Sequence, residues 1–168
     1  MDIAAVGEHV ARAADFEAAV GEHYPSLVRR LALVIGDPEE ARDVAQAACL
    51  QAYRAWPRFD GRDVRAWLYT IGLRLAFNEL RRRARHAALP WAVAPTAWQP
   101  EVESDLWAAL LRLEPKPRTA LILHIVDGFS HAEVGEILGV PTGTAASWIS
   151  RTKARLRVEL EWEDRHDG

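Results

Sequence analysis

A single cysteine, Cys49, stands in the 168 residues and falls inside a helical pattern, so neither a disulfide framework nor a cysteine metal site is available and its place is expected in the core. No apolar run approaches the roughly 20 residues that a membrane-crossing helix requires. The opening MDIAAVGEHVARAADF has acids where a secretory leader carries a basic and then an apolar block, so no membrane insertion and a cytoplasmic location are expected. A large excess of charge of one sign is also missing. The 21 Lys and Arg against 24 Asp and Glu leave a formal net charge of −3, which argues against a protein that coats nucleic acid without regard to sequence. There is no phosphate-cradling glycine loop, no His-Glu-x-x-His and no nucleophile beside a base, so catalytic residues, metal ligands and cofactors are all expected to be none. The six histidines are scattered, and His124, inside an apolar helix, reads as a satisfied core residue. Strand alternation with turn punctuation and internal repeats are absent too, which leaves an all-α protein.

With 49% apolar and 27% charged residues, the chain has the balance of a soluble globular protein. Phe16, Val20, Tyr24, Leu27, Val28, Leu31 and Ile35 recur at three and four, which predicts one amphipathic helix ended by Gly36. Asp37-Pro38 starts the next, with Asp37 as cap, Pro38 at the first helical position and Glu40 closing a reciprocal box. Ala41, Val44, Ala45, Ala48, Cys49, Ala52 and Trp56 form its apolar stripe, and Pro57 stops it. After the loop Arg58-Phe59-Asp60-Gly61-Arg62, a third helix is predicted from about Asp63 to Arg85, with Val64, Trp67, Leu68, Ile71 and Leu75 inward. These three helices make a first small domain, residues 12–85.

Residues 86–104 hold Pro90, Pro95 and Pro100 without a sustained period and read as a Pro-rich linker. Trp91 and Trp98 within it are expected to pack against the chain's own domains or a partner's groove. A second domain, 105–162, opens on Leu106, Leu110 and Leu113, continues in an apolar helix from Pro117 to Val126, and closes on the most informative stretch, SHAEVGEILGVPTGTAASWISR. There Ser130 and Glu133 form a capping box, and Val134, Ile137 and Leu138 share one face. Small Gly135 lets a second helix approach, Gly139 suits the left-handed helix end, and Pro141 blocks continuation. Beyond it Ala145, Ile149, Leu156 and Leu160 recur at helical spacing, while Thr144, Ser147, Ser150, Arg151 and Lys153 lie elsewhere on the surface, in outline a helix-turn-helix whose second helix meets DNA. Two basic clusters, Arg74, Arg81, Arg82, Arg83 and Arg85, then Arg151, Lys153, Arg155 and Arg157, end predicted helices and suit a bipartite grip on phosphates.

Taken in order, these motifs resemble the extracytoplasmic-function (ECF) sigma factors, the small two-domain specificity subunits of bacterial RNA polymerase. GDPEEARDVAQ is similar to the family's polymerase-binding GDxxxAEDxxQE pattern, and RFDGRDVRAWLYTIGLRLAFNELRRR to its −10 reading stretch. Leu113-Glu114-Pro115 up to Leu123 is similar to LPxxxRxxLxL, DGFSHAEVGEILGVPTGT to GLSxxEIAxxLGxxxGT, and Ser150-Arg151 onward to the closing basic helix. The sequence departs from the pattern at Arg42 and Ala47, where acids are usual, at Ala146 and Trp148, where Lys and Arg are usual, and at Arg74, a usual Asn.

The resemblance implies a non-enzyme that binds the polymerase core through its clamp and flap regions, binds promoter DNA, and is held by an anti-sigma factor. It places Asp43, Val44, Gln46 and Tyr53 against polymerase. It places Arg58, Phe59, Arg62, Arg74 and Asn78 at the −10 element, where separated bases stack on aromatic or guanidinium planes. Arg81, Arg82 and Arg85 fall on −10 phosphates, which fix register and make binding salt-sensitive. Trp67 sits on the apolar stripe and reads as core rather than as a base wedge. Thr142, Thr144, Ser147, Ser150, Arg151 and Lys153 fall to the −35 element, with Arg118 on a phosphate. Two other readings stay open at this point: a sigma-like interaction protein that reads no promoter alone, and a helix-turn-helix repressor acting as a homodimer.

Overall fold

A computed structural model describes residues 3–87 and 105–163, and all regular structure among them is helical. The first group comprises α1 (Ile3–Gly21), α2 (Tyr24–Ile35), α3 (Pro38–Ala55), a single 3₁₀ turn (Trp56–Arg58) and α4 (Val64–Ala87). The second comprises α5 (Asp105–Leu111), α6 (Pro115–Ile125), α7 (His131–Leu138) and α8 (Thr142–Glu163). The expected linker with Trp91 and Trp98 lies outside the described residues from 88 onward, while His86 and Ala87 still belong to α4.

The single helix predicted through Phe16 to Ile35 is in fact two, broken at Glu22–His23. Pro25 is the cause. Its ring would strike the carbonyl four residues back, at Gly21, so α1 ends there and Pro25 falls in the first turn of α2, where its missing N–H is harmless. At the other end of α2, Gly36 takes φ 77° and donates its N–H to the Ala32 carbonyl, as a terminating glycine does.

Asp37 caps α3 by accepting the Glu40 N–H at 3.1 Å. The second half of the predicted box is absent, because the Glu40 carboxylate turns away to Arg83 of α4, 3.0 Å from its Nε. The inner face of α3 is Ala41, Ala45, Ala48 and Ala52, all fully buried, so α3 lies close against α2 and α4. Asp63 caps α4 by accepting the Ala66 N–H at 2.9 Å. Besides Leu68 and Ile71, α4 buries Tyr69, Leu73 and Ala76, which the predicted stripe left out.

In the second group the capping box is complete: the Ser130 N–H donates to Glu133 at 2.7 Å and the Glu133 N–H to the Ser130 hydroxyl at 3.3 Å. The bond from Ser130 holds the Glu133 carboxyl below its usual range. Gly139 adopts φ 66°. A methyl placed on Gly135 would stand 2.8 Å from the Val140 carbonyl oxygen, so the expected close approach is real, and what approaches is the turn itself. Ala145, Ile149 and Leu156 bury the inner face of α8.

Between the two groups lies α6. Six consecutive residues, Arg118 to Leu123, are buried, which is possible only for a helix covered on every side. It packs on α2 of the first group and on α5, α7 and α8 of its own, while α7 also meets α4. The two helical groups therefore share one continuous core.

Candidate nucleic-acid and polymerase interface

Arg74, Asn78, Arg81, Arg82 and Arg85 are exposed on α4 at offsets of four, seven, eight and eleven, which puts them on one face. Within it Asn78 accepts a hydrogen bond from Arg81, and Arg82 grips Glu79 at 2.9 Å, which holds the Glu79 carboxyl below its usual range. Arg83, a member of the same basic cluster, points the other way to Glu40 and the Ile35 carbonyl. At the loop before α4, Arg58 is exposed, and Arg62 braces the turn by bonding Asp60 at 2.9 Å.

Phe59 is not a free stacking face. Its ring stacks on Trp56 at 5.3 Å and meets Trp67 at 4.6 Å, and Trp56 in turn meets Phe16, which meets Tyr53. Aromatic pairs of this kind add about 0.5–1.5 kcal/mol each beyond their burial. Trp67 thus packs as a core residue, and Tyr53 is half-buried in the same cluster with the Arg12 guanidinium over its ring. Asp43 and Gln46 are exposed on α3 and Val44 is half-buried. A groove of about 570 Å³ between α3 and α4 is lined by Asp43, Val44 and Ala47 on one side and by Asn78, Arg82 and Arg85 on the other. Arg42, where the resemblance expects an acid, is paired with Glu39.

On α8, Thr142, Ser147, Ser150, Arg151 and Lys153 are exposed and Thr144 is half-buried. The Arg151 Nε donates to the Ser147 carbonyl at 3.3 Å. Trp148 is turned toward the first group and shares a groove of about 350 Å³ with Phe77, Leu80, Arg81 and Ala84 of α4.

Arg118, expected at a phosphate, is only 5% exposed. Its Nη1 donates to the carbonyls of Leu110, Leu111 and Leu113 at 3.3, 3.1 and 3.3 Å, and its Nη2 to the Val34 carbonyl at 2.8 Å. These carbonyls lie at and just beyond the C-terminal end of α5 and at that of α2, where the negative pole of a helix favours a cation; the Leu110 carbonyl also accepts the Leu113 N–H at 3.2 Å. The last turn of α2 has no basic residue of its own, so Arg118 and Arg83 supply it from other helices. Burial lowers the Arg118 pKa. In this arrangement a phosphate has no path to the guanidinium.

A cluster that sequence reasoning missed joins the two groups. The Asp127 side chain is 5% exposed, accepts the Arg30 Nε at 2.7 Å and faces the Tyr69 hydroxyl at 3.4 Å. Burial and then the Asp127 charge raise the Tyr69 pKa, which keeps the phenol protonated as a donor. Phe129 meets Tyr69 edge-on at 5.9 Å, and the Arg65 guanidinium lies 4.1 Å from the Phe129 ring centre. Next to it His124 is satisfied as expected: its Nδ1 lies 2.7 Å from the Phe129 carbonyl, which only accepts, so the proton sits on Nδ1. Arg30 and Asp127 stand 97 residues apart, so no local pattern signals their pairing.

No described helix is long and apolar enough to cross a membrane. Residues 19–86 match the family model for Sigma-70 region 2 and residues 103–156 that for Sigma-70 region 4. The chain is 30% identical to the ECF RNA polymerase sigma factor SigW of Bacillus subtilis, over 76% of this chain and 79% of that protein. It is 32% identical to the ECF RNA polymerase sigma factor SigM of Mycobacterium tuberculosis, over 84% of this chain and 74% of the relative. Among solved structures, the sigma factor RpoE of Bartonella quintana, crystallised in complex with the anti-sigma factor NepR, superposes with a TM-score of 0.74 at 26% identity, covering 88% of this chain and 97% of that one. With a basic face on α4, a capped helix-turn-helix in α7 and α8, and both sigma regions matched in order, the chain belongs to the ECF RNA polymerase sigma factors.

Proposed function

We propose that this chain binds core RNA polymerase and directs it to specific promoters, acting by binding energy alone and making no bond. Residues 12–85 form the core-binding and −10 unit, 105–162 the −35 unit and 86–104 the connection between them. The observation that carries this reading is the groove between α3 and α4. Asp43 and Val44, which we assign to polymerase, line it together with Asn78, Arg82 and Arg85, which we assign to DNA, and this supports a polymerase helix lying next to the strand being opened. Arg74, Arg81 and Arg58 extend that face along the −10 DNA, with Arg62 and Phe59 at its loop end. Gln46 and Tyr53 flank the polymerase contact.

The exposed Thr142, Ser147, Ser150, Arg151 and Lys153, with Thr144, form the −35 surface in the major groove. Arg118 reaches a phosphate only if α6 is uncovered. The working place of such a protein is the cytoplasm, beside the polymerase. An anti-sigma factor is the third expected partner, by analogy with the Bartonella quintana sigma factor and its NepR. Trp148, where the resembled pattern has Arg, calls for no partner's groove, because α4 of the same chain supplies an apolar one.

Transcription from a genomic fragment library with purified core polymerase, with start sites mapped by sequencing, tests this function. The wild-type chain is expected to give a defined set of start sites. Arg151→Ala should reduce their use about tenfold, in line with the roughly 1–3 kcal/mol of one base or phosphate contact. Asp43→Ala should weaken core binding about fivefold by removing a charge-assisted contact, with an unchanged melting curve. Wild-type output from both variants would remove these assignments.

A further inference from the structure

We propose that α1 sets the −10 reader in place: its Phe16 fixes the aromatic stack that carries the loop of residues 58–63, and so holds Arg58 and Arg62 ready for promoter bases. The inference rests on the promoter-directing reading above and deepens it by naming a positioning residue. Phe16 lies ahead of residues 19–86, the span that matches Sigma-70 region 2, so the match itself assigns it nothing. The loop runs from the 3₁₀ turn into α4. The bonds that shape it are local: the Phe59 N–H donates to the Trp56 carbonyl at 3.0 Å, the Arg62 N–H and Nε to the Asp60 carboxylate at 3.2 and 2.9 Å, and the Ala66 N–H to Asp63 at 2.9 Å. Gly61, left-handed at φ 78°, makes the turn between them. Such bonds give the loop its shape, and they do not fix where that shape sits against the helices.

Phe59 ties the loop to its surroundings. Its ring lies nearly parallel to Trp56, with 14° between the planes, and meets Trp67 of α4 at 4.6 Å, while Trp56 and Trp67 meet each other at 6.0 Å. Phe16 closes this stack from α1: its ring stands at 83° to Trp56 at 5.5 Å and at 78° to Tyr53 at 5.3 Å. An aromatic ring is positive at its edge and negative on its face, so a perpendicular pair favours one orientation where a merely apolar contact would not. All five rings are half-buried, so the cluster lies at the rim of the core, while Val20, one turn further along α1 and 2% exposed, anchors that helix within it. Removing the Phe16 ring therefore loosens the loop without detaching α1. A loop held in place gives its full base contact to a matching promoter, whereas a loose one does so only for the fraction of chains in which it is in place. A promoter altered at the −10 element collects little of that contact in either case.

Transcription by the full chain with core polymerase, on one of its mapped promoters and on copies substituted singly at the −10 or the −35 element, tests this. The ratio of matched to altered output does not depend on how much of the protein is folded. Phe16→Ala should lower the −10 ratio about fivefold, the equivalent of one to two aromatic pairs, and leave the −35 ratio unchanged. Phe16→Tyr, which keeps the ring, should return the −10 ratio to within about twofold of wild type. Val20→Ala removes core packing from the same helix and should lower every output alike while moving neither ratio. Should circular dichroism show that Phe16→Ala has lost helix, Phe16→Leu takes its place, with a loss of at least about twofold expected in the −10 ratio alone. A wild-type −10 ratio without the ring, an equal fall in both ratios, no recovery with tyrosine, or the same −10 loss in Val20→Ala would each overturn this inference and leave the promoter reading standing. A wild-type chain that directs no transcription overturns the promoter reading and this inference with it.

Discussion

Gly135→Val should be among the most damaging single changes in this chain, with a loss of about 3 kcal/mol in urea denaturation and no measurable −35-dependent transcription. A Cβ at this position meets backbone: the Val140 oxygen at 2.8 Å, the Thr142 nitrogen at 3.3 Å and its Cα at 3.4 Å. None of these can swing aside as a side chain would. The turn they form is pinned by the left-handed Gly139 and by the Val140 N–H bonded to the Gly135 carbonyl at 2.9 Å. Relief therefore requires α8 to move, and with it every residue of the −35 surface. Gly135→Ala separates the opposing effects. Alanine gains about 1 kcal/mol of helix propensity over glycine, while overpacking against fixed backbone costs about 1–3 kcal/mol, so the net change should be a smaller loss rather than a gain. An unchanged denaturation midpoint for the valine variant would contradict the close approach.

The second large effect is expected at Arg118. Arg118→Ala should cost about 3–4 kcal/mol, because it strips the donor from the Leu111, Leu113 and Val34 carbonyls, the Leu110 carbonyl keeping the Leu113 N–H, and each buried, unsatisfied acceptor costs about 1–3 kcal/mol. One gain opposes this: the guanidinium is a cation removed from water with no carboxylate bonded to it, so its removal recovers some desolvation energy, and the figure is placed toward the low end of the summed loss. Arg118→Met keeps most of the volume and none of the donors. If it is nearly as damaging as alanine in thermal and urea melts, the hydrogen bonds are responsible; a methionine variant as stable as wild type would show that the side chain serves only to fill space. Arg118→Lys should fall between, since one ammonium cannot span carbonyls from α5 and α2 at once.

What was legible in the sequence was local. The capping box at Ser130, the Asp37-Pro38 start, the left-handed Gly36 and Gly139, and the small Gly135 are features in which neighbouring residues determine one another's backbone, and each appears as read. The alanine stripe of α3 and the inner face of α8 were equally clear, because a helix presents its periodicity in the sequence. The break at Glu22–His23 was missed because the apolar period runs straight through it and outweighed Pro25.

Residues whose roles depend on distant partners were not legible. Arg118 looks like any basic residue at a helix start until Val34 is placed beside it, 84 positions away. The same is true of Asp127 with Arg30, and of Phe59, whose neighbours Trp56 and Trp67 come from different elements. The exposed basic faces of α4 and α8 were found from charge clustering, while the turn of Trp148 toward α4 was not, since periodicity says which side of a helix is buried but not by what.

The alanine face of α3 has a consequence for how such a protein diversifies. Four methyl groups let that helix lie close against its neighbours, and Glu40 bonded to Arg83 and Tyr53 packed on Phe16 fix it from its flanks. Arg42 and Ala47, where the resembled pattern has acids, sit on the outward side and leave the inner contact untouched. A substitution at the fully outward positions 42 and 47 can therefore change what the helix presents to a partner while the alanine contact beneath it stays as it is.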